Sequence, residues 1–213
     1  MEWSSDGWQW SSGQWHSAFR IELRVQAIGL AARGWPVLPG TYPAEGRWAG
    51  RSGSEPHGPA PVHTGWEDRL VLNPDDAAAC WSEHQPYSLL LATGSRVEAI
   101  EVDSGLGRRT ASVLRAGGFP APIVSTPDGR WYFLTEGGQT LCEELGDATG
   151  IRLHSSGSWV PMPPTTYPQG LVHWRVKPEV CAWRLPRPEL VQEALRAGLH
   201  DSHDVADLVA AGH

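Results

Sequence analysis

Apolar positions recur at helical spacing from Ser17 to Arg33, where Phe19, Leu23, Ala27, Leu30 and Ala31 form one stripe and Ile21, Val25 and Ile28 widen it. Ser17 is placed to cap this helix and Gly34 to end it in the left-handed conformation. Trp35-Pro36-Val37-Leu38-Pro39 then reads as a short strand. Residues 40–65 are rich in Gly, Pro, Ser and Arg and show no apolar period, which predicts a long loop. Asn73-Pro74-Asp75-Asp76 is a helix start, with Asn73 as cap, Pro74 at the first helical position and two acids at the positive end of the helix dipole. That helix carries Ala77, Ala78 and Trp81 and stops near Pro86.

Two apolar runs follow, Ser88 to Ala92 and Val97 to Val102, and Thr93-Gly94-Ser95-Arg96 between them reads as a turn joining antiparallel strands. A helix is predicted from about Arg108 to Arg115. A hairpin follows, with strands at Pro122 to Ser125 and Trp131 to Thr135 around Pro127-Asp128-Gly129. Leu141 to Leu145 reads as a short helix. Ile151 to Val160 and Leu171 to Val176 read as strands flanking a proline-rich turn. Glu189 to Leu199 reads as a helix and Val205 to Ala210 as another, with Asp201, His203 and Asp204 capping a break between them. Mostly sequential strands among helices predict an α+β layering.

Composition narrows the picture. The chain has 213 residues, enough for one sizeable domain, and no apolar run long enough to cross a membrane. The N-terminus lacks the basic-then-apolar pattern of a secretory signal, so a cytoplasmic protein is expected. Cys80, Cys142 and Cys181 are far apart and form no C-x-x-C pair, which points to buried thiols. The formal net charge is −7, and Lys177 is the sole lysine beside sixteen arginines. An acidic chain is a poor match for the basic surface that grips nucleic acid by counterion release, so nucleic-acid binding is expected to be weak or absent. Of twelve tryptophans, Trp3, Trp8, Trp10 and Trp15 crowd the first fifteen residues among Ser, Gly and Gln. Residues 1–16 are therefore read as a flexible arm whose indoles are candidates for docking on a protein partner. Residues 17–186 are read as the domain and residues 187–213 as a helical tail. No Walker A, G-x-S-x-G or H-E-x-x-H sequence is present. His57 and His63 lie six residues apart in the proline-rich loop, and no acid or cysteine pairing supports a metal site there.

Four stretches carry a family resemblance. The first is Leu30-Ala31-Ala32-Arg33-Gly34-Trp35-Pro36-Val37-Leu38-Pro39. The second runs from Asn73-Pro74-Asp75-Asp76 through Trp81 to Ala92-Thr93-Gly94. The third is Ala99-Ile100-Glu101-Val102-Asp103, and the fourth is Ser158-Trp159-Val160-Pro161-Met162-Pro163-Pro164-Thr165. In this order the chain resembles the N-terminal primase–polymerase domain of bifunctional replication proteins in the archaeo-eukaryotic primase superfamily, over roughly residues 19 to 185. The resemblance implies a primase–polymerase-like core with a mixed or antiparallel sheet flanked by helices.

It also implies chemistry. Residues i and i+2 of a strand point the same way, so an acid–x–acid pair can hold divalent ions, magnesium or manganese, which bridge triphosphate oxygens. Here that pair is Glu101 and Asp103, as metal ligands and catalytic acids. The rest of the family's pattern is broken. The hairpin Ser125-Thr126-Pro127-Asp128-Gly129-Arg130-Trp131-Tyr132-Phe133 is similar to the family's T-P-S-G-G-x-H-x-Y-F but has no histidine. The third acid falls near Arg152, and His154 takes the place of a family arginine. Arg130, Arg152 and His154 are thus the candidates to contact a nucleotide. Arg130 and Arg152 are also candidates to pair with Glu101 and Asp103 and replace a metal by an internal salt bridge. The expectation is a degenerate, non-catalytic member that binds a nucleotide or a protein partner in replication or its regulation. The alternative is an active metal-dependent primase/polymerase that uses Glu101 and Asp103.

Overall fold

The computed structural model describes residues 12–44, 46–51, 58–82, 86–94 and 96–211, with side chains from 19 to 200 within those ranges. Trp3, Trp8, Trp10, the side chain of Trp15 and His57 lie outside the described residues. Helix α1 spans Ser12–Ala32 and so begins five residues ahead of Ser17, inside the stretch expected to be an arm. Leu23, Ala27, Leu30 and Ala31 are buried, whereas Ile21 and Val25 face outward, because a helix can turn only one stripe to the core. Gly34, at φ 73°, ends the helix: its amide donates to the Ala31 carbonyl at 2.9 Å and that of Trp35 to the Leu30 carbonyl at 3.1 Å.

The strands are β1 (Val37–Gly40), β2 (Tyr42–Ala44), β3 (Arg47–Ala49), β4 (Ser88–Thr93), β5 (Glu98–Asp103), β6 (Ile123–Ser125), β7 (Arg130–Thr135), β8 (Arg152–His154), β9 (Ser158–Pro161), β10 (Thr166–Tyr167), β11 (Gly170–Leu171) and β12 (His173–Val176). The further helices are α2 (Pro74–Cys80), α3 (Ser104–Ala116), α4 (Glu143–Asp147) and α5 (Pro188–Ala211). The fold is α+β. A five-stranded sheet runs β12-β6-β7-β5-β8 and a three-stranded sheet runs β1-β4-β9, with every pairing antiparallel. One face of the larger sheet (Ala99, Val124, Tyr132, Leu134) packs with the smaller sheet and α1 into one core. The other face (Ile100, Val102, Ile123, Phe133) packs against α3 and α5 into a second core. Alternation along each strand sends successive side chains to these two cores.

The helix start at Asn73 is as expected: its side-chain oxygen accepts from the Asp76 amide at 2.9 Å. The hairpin of β6 and β7 also forms as expected. Elsewhere the chain departs from the expected elements. β4 and β5 are not a hairpin. They lie in different sheets, and the turn at Gly94, whose amide donates to the Val97 carbonyl, hands the chain from one sheet to the other. The stretch from Ile151 to Val160 likewise divides into β8 and β9, in separate sheets, around Gly157 at φ 80°. The loop expected over 40–65 holds the small hairpin of β2 and β3. The tail is one helix, α5, continuous through Asp201, His203 and Asp204. Cys181 is buried, as expected, but Cys142 is exposed. Burial raises the Cys80 thiol to about 11. Among the described residues, no helix is long and apolar enough to cross a membrane.

Candidate functional site

The acidic strand β5 lies next to the edge of the larger sheet, between β7 and β8. Glu101 points to the face that carries Tyr132 and His154. Its carboxylate is held on both sides. Arg130 on β7 donates from Nε to Oε1 at 2.6 Å, and His154 on β8 donates from Nε2 to Oε2 at 2.6 Å. Both partners sit diagonally across the ladder, since Glu101 itself is paired with Tyr132 and Arg152. Each partner is itself anchored. An Arg130 terminal nitrogen donates to the Gly150 carbonyl at 2.7 Å. His154 Nδ1 lies 2.9 Å from Ser158 Oγ on β9, and its ring meets Tyr132 edge-on at 5.6 Å.

The group is well shielded, with the Glu101 side chain 14% exposed and that of His154 12%. Burial pushes the Glu101 carboxyl up, but the hydrogen bonds and charges of His154 and Arg130 together outweigh it and hold the carboxyl below its ordinary value. The Tyr132 hydroxyl is driven the other way, by burial first and then by the Glu101 carboxylate. Burial likewise raises Tyr167, with help from Asp128 and Glu101.

Asp103 is two residues on, at the end of β5, and its role is local. Its Oδ1 accepts from the amides of Gly105 at 2.7 Å and Leu106 at 3.0 Å, which makes it the N-cap of α3. Asp103→Ala is expected to cost about 1 kcal/mol in urea unfolding, and Asp103→Asn almost nothing, because asparagine caps as well as aspartate.

Arg152 stands opposite Glu101 in the ladder but is exposed, and among the described residues it joins no ion pair. Of the two arginines expected to offset the carboxylates, only Arg130 does so, and it pairs with Glu101 alone. The second position is taken by His154. Sequence reasoning missed Ser158, Tyr132 and the Gly150 carbonyl as supports. Strand alternation was the available signal for Tyr132, which lies two residues after Arg130 and so on the same face.

The family described as "Bifunctional DNA primase/polymerase, N-terminal" matches residues 27–190. The chain belongs to this family. No curated protein matches it.

The metal ions implied by the family do not fit these residues. Both Glu101 oxygens are engaged at 2.6 Å, one of them by a permanent cation. Asp103 Oδ1 is committed to two amides. Among the described residues, no three His, Cys, Asp or Glu side chains gather closely enough to hold a metal ion.

Proposed function

We propose that this is a degenerate primase/polymerase domain that has lost nucleotidyl transfer and acts by binding, to a nucleotide or to a protein partner in replication or its regulation. The observation that carries this reading is the clamp on Glu101. Phosphoryl transfer depends on positioned cations that neutralise developing charge, and the acids that position metal ions must be open to them. Here a guanidinium and an imidazole occupy the carboxylate that would do so. A nucleotide phosphate would have to compete with Glu101 for Arg130 and His154, whereas Arg152 is exposed beside them and outside any ion pair among the described residues. The exposed Arg152 supports weak phosphate contact, and the clamp on Glu101 speaks against strong metal-dependent chemistry.

The test is a primer-extension assay with magnesium or manganese, run beside a titration of the tryptophan fluorescence with nucleoside triphosphate. The expected result is no extension above background. Fluorescence that responds to nucleotide without metal would assign the binding role to a nucleotide, and a silent titration would assign it to a protein partner. Metal-dependent extension that disappears in Asp103→Asn, a variant that keeps the cap of α3, would overturn the reading.

A further inference from the structure

A half-open cavity of about 400 Å³ lies on the opposite side of the larger sheet from Glu101. Its floor is apolar, formed by the buried side chains of Leu114, Ala121, Ile123 and Trp131. Its rim carries three arginines, Arg108 and Arg115 on α3 and Arg175 on β12, and no acidic side chain lines it. All three arginines are exposed, and among the described residues none joins an ion pair. Arg175 is steadied over the Trp131 ring at 5.0 Å. In a chain of formal net charge −7, this is a local reversal of sign around an apolar-floored hollow.

The spacing restricts what can satisfy it. Arg108 and Arg115 are seven residues apart on one face of α3, about 10 Å along the helix axis. Arg175 adds a third cation from the sheet. Three exposed cations spread around one rim are matched best by a ligand that carries several anionic groups. It also carries an apolar group to fill the floor. Two of the polyanions that meet the first condition differ in the second. A single strand of nucleic acid binds by stacking bases on open aromatic faces. The ring in this cavity offers none, because Trp131 is 6% exposed and already lies beneath Arg175. A peptide instead brings carboxylates that match the planar guanidinium fork and a flexible apolar side chain that can enter from above.

We infer that this cavity is a docking site for an acidic peptide segment of a partner protein, which seats one large apolar side chain on the floor and its flanking carboxylates on Arg108, Arg115 and Arg175. The site lies on the far face from Glu101 and stands whether or not the domain is catalytic.

The test uses the full chain and a fluorescein-labelled synthetic peptide, a single leucine flanked on both sides by aspartates and glutamates, titrated by fluorescence anisotropy. Saturable binding is expected. It should weaken about tenfold or more in the double variant Arg108→Glu/Arg175→Glu, since lost rim charges become repulsive. It should weaken similarly when the peptide's leucine is replaced by serine. Ala111→Phe, which fills the cavity and leaves every charge in place, should also weaken it, and thermal melting of each variant confirms that it is folded. Absence of binding, affinity unchanged in the folded variants, or equal affinity for an oligothymidylate of matched charge would each overturn the proposal.

Discussion

Glu101→Ala is expected to destabilise the domain by about 2 kcal/mol in urea unfolding, the cost of leaving a partly buried arginine and histidine without their shared acceptor. The sign is what makes the measurement informative. In a metal site without its metal, clustered carboxylates repel one another, and deleting one relieves strain. In this domain Glu101 accepts from a guanidinium and an imidazole, and deleting it removes attraction. Glu101→Gln, which keeps the shape and one acceptor, should fall between the parent and the alanine variant. The pH dependence carries the same sign. The folded Glu101 carboxyl titrates lower than the unfolded one, so its contribution is complete above the ordinary value of 4.5 and is lost as pH falls through the depressed folded value. The parent should therefore lose stability faster than Glu101→Gln in that acidic window. A Glu101→Ala variant as stable as the parent, or more so, would contradict the clamp.

Gly107→Val is expected to cost about 3 kcal/mol, at the upper end of overpacking penalties. A Cβ at position 107 would lie 2.7 Å from two atoms of the Trp131 ring, closer than real Cβ contacts come. Helix α3 can therefore rest on the sheet here only because residue 107 has no side chain. Gly107→Ala should cost less, about 1 to 2 kcal/mol, since the gain in helix propensity offsets part of the clash. Combining Gly107→Ala with Trp131→Leu removes the ring that is struck. The pair should show a coupling of about 1 kcal/mol or more relative to the sum of the single variants, measured by a double-mutant cycle in urea. Simple additivity would mean that the helix accommodates the methyl group by some other route.

These two positions illustrate what the sequence disclosed and what it withheld. The acid–x–acid strand, the hairpin that follows α3, the Asn73 cap and the Gly34 stop are all local patterns, and each was legible because its physics is completed within a few residues. The fate of Glu101 was legible only in part. The sequence indicated that the third acid was missing and that Arg130 and His154 were close by. It favoured Arg152 as the replacement cation because Arg152 falls where the acid belongs. The ladder shows why that choice was incomplete: Arg152 does stand opposite Glu101, but the diagonal position gives His154 the reach, and Ser158 on another sheet holds its ring in place. A hydrogen bond between sheets leaves no mark on spacing. The same blindness explains the strands. β4 and β5 are both apolar runs joined by a turn, and nothing in their alternation says that the turn crosses from one sheet to another. The rim of arginines around Trp131 was invisible for the same reason, since α3 and β12 are far apart in sequence.

The three-residue strand β8 is the last strand on one side of the larger sheet. Such a border is where sheets of separate molecules zip together and aggregate. A brief strand with a charged residue at its start is a poor template for that growth, and Arg152 supplies the charge. An exposed arginine at this border therefore disfavours pairing with a second copy of the strand. His154, tied inward to Glu101, keeps the same short strand from fraying away.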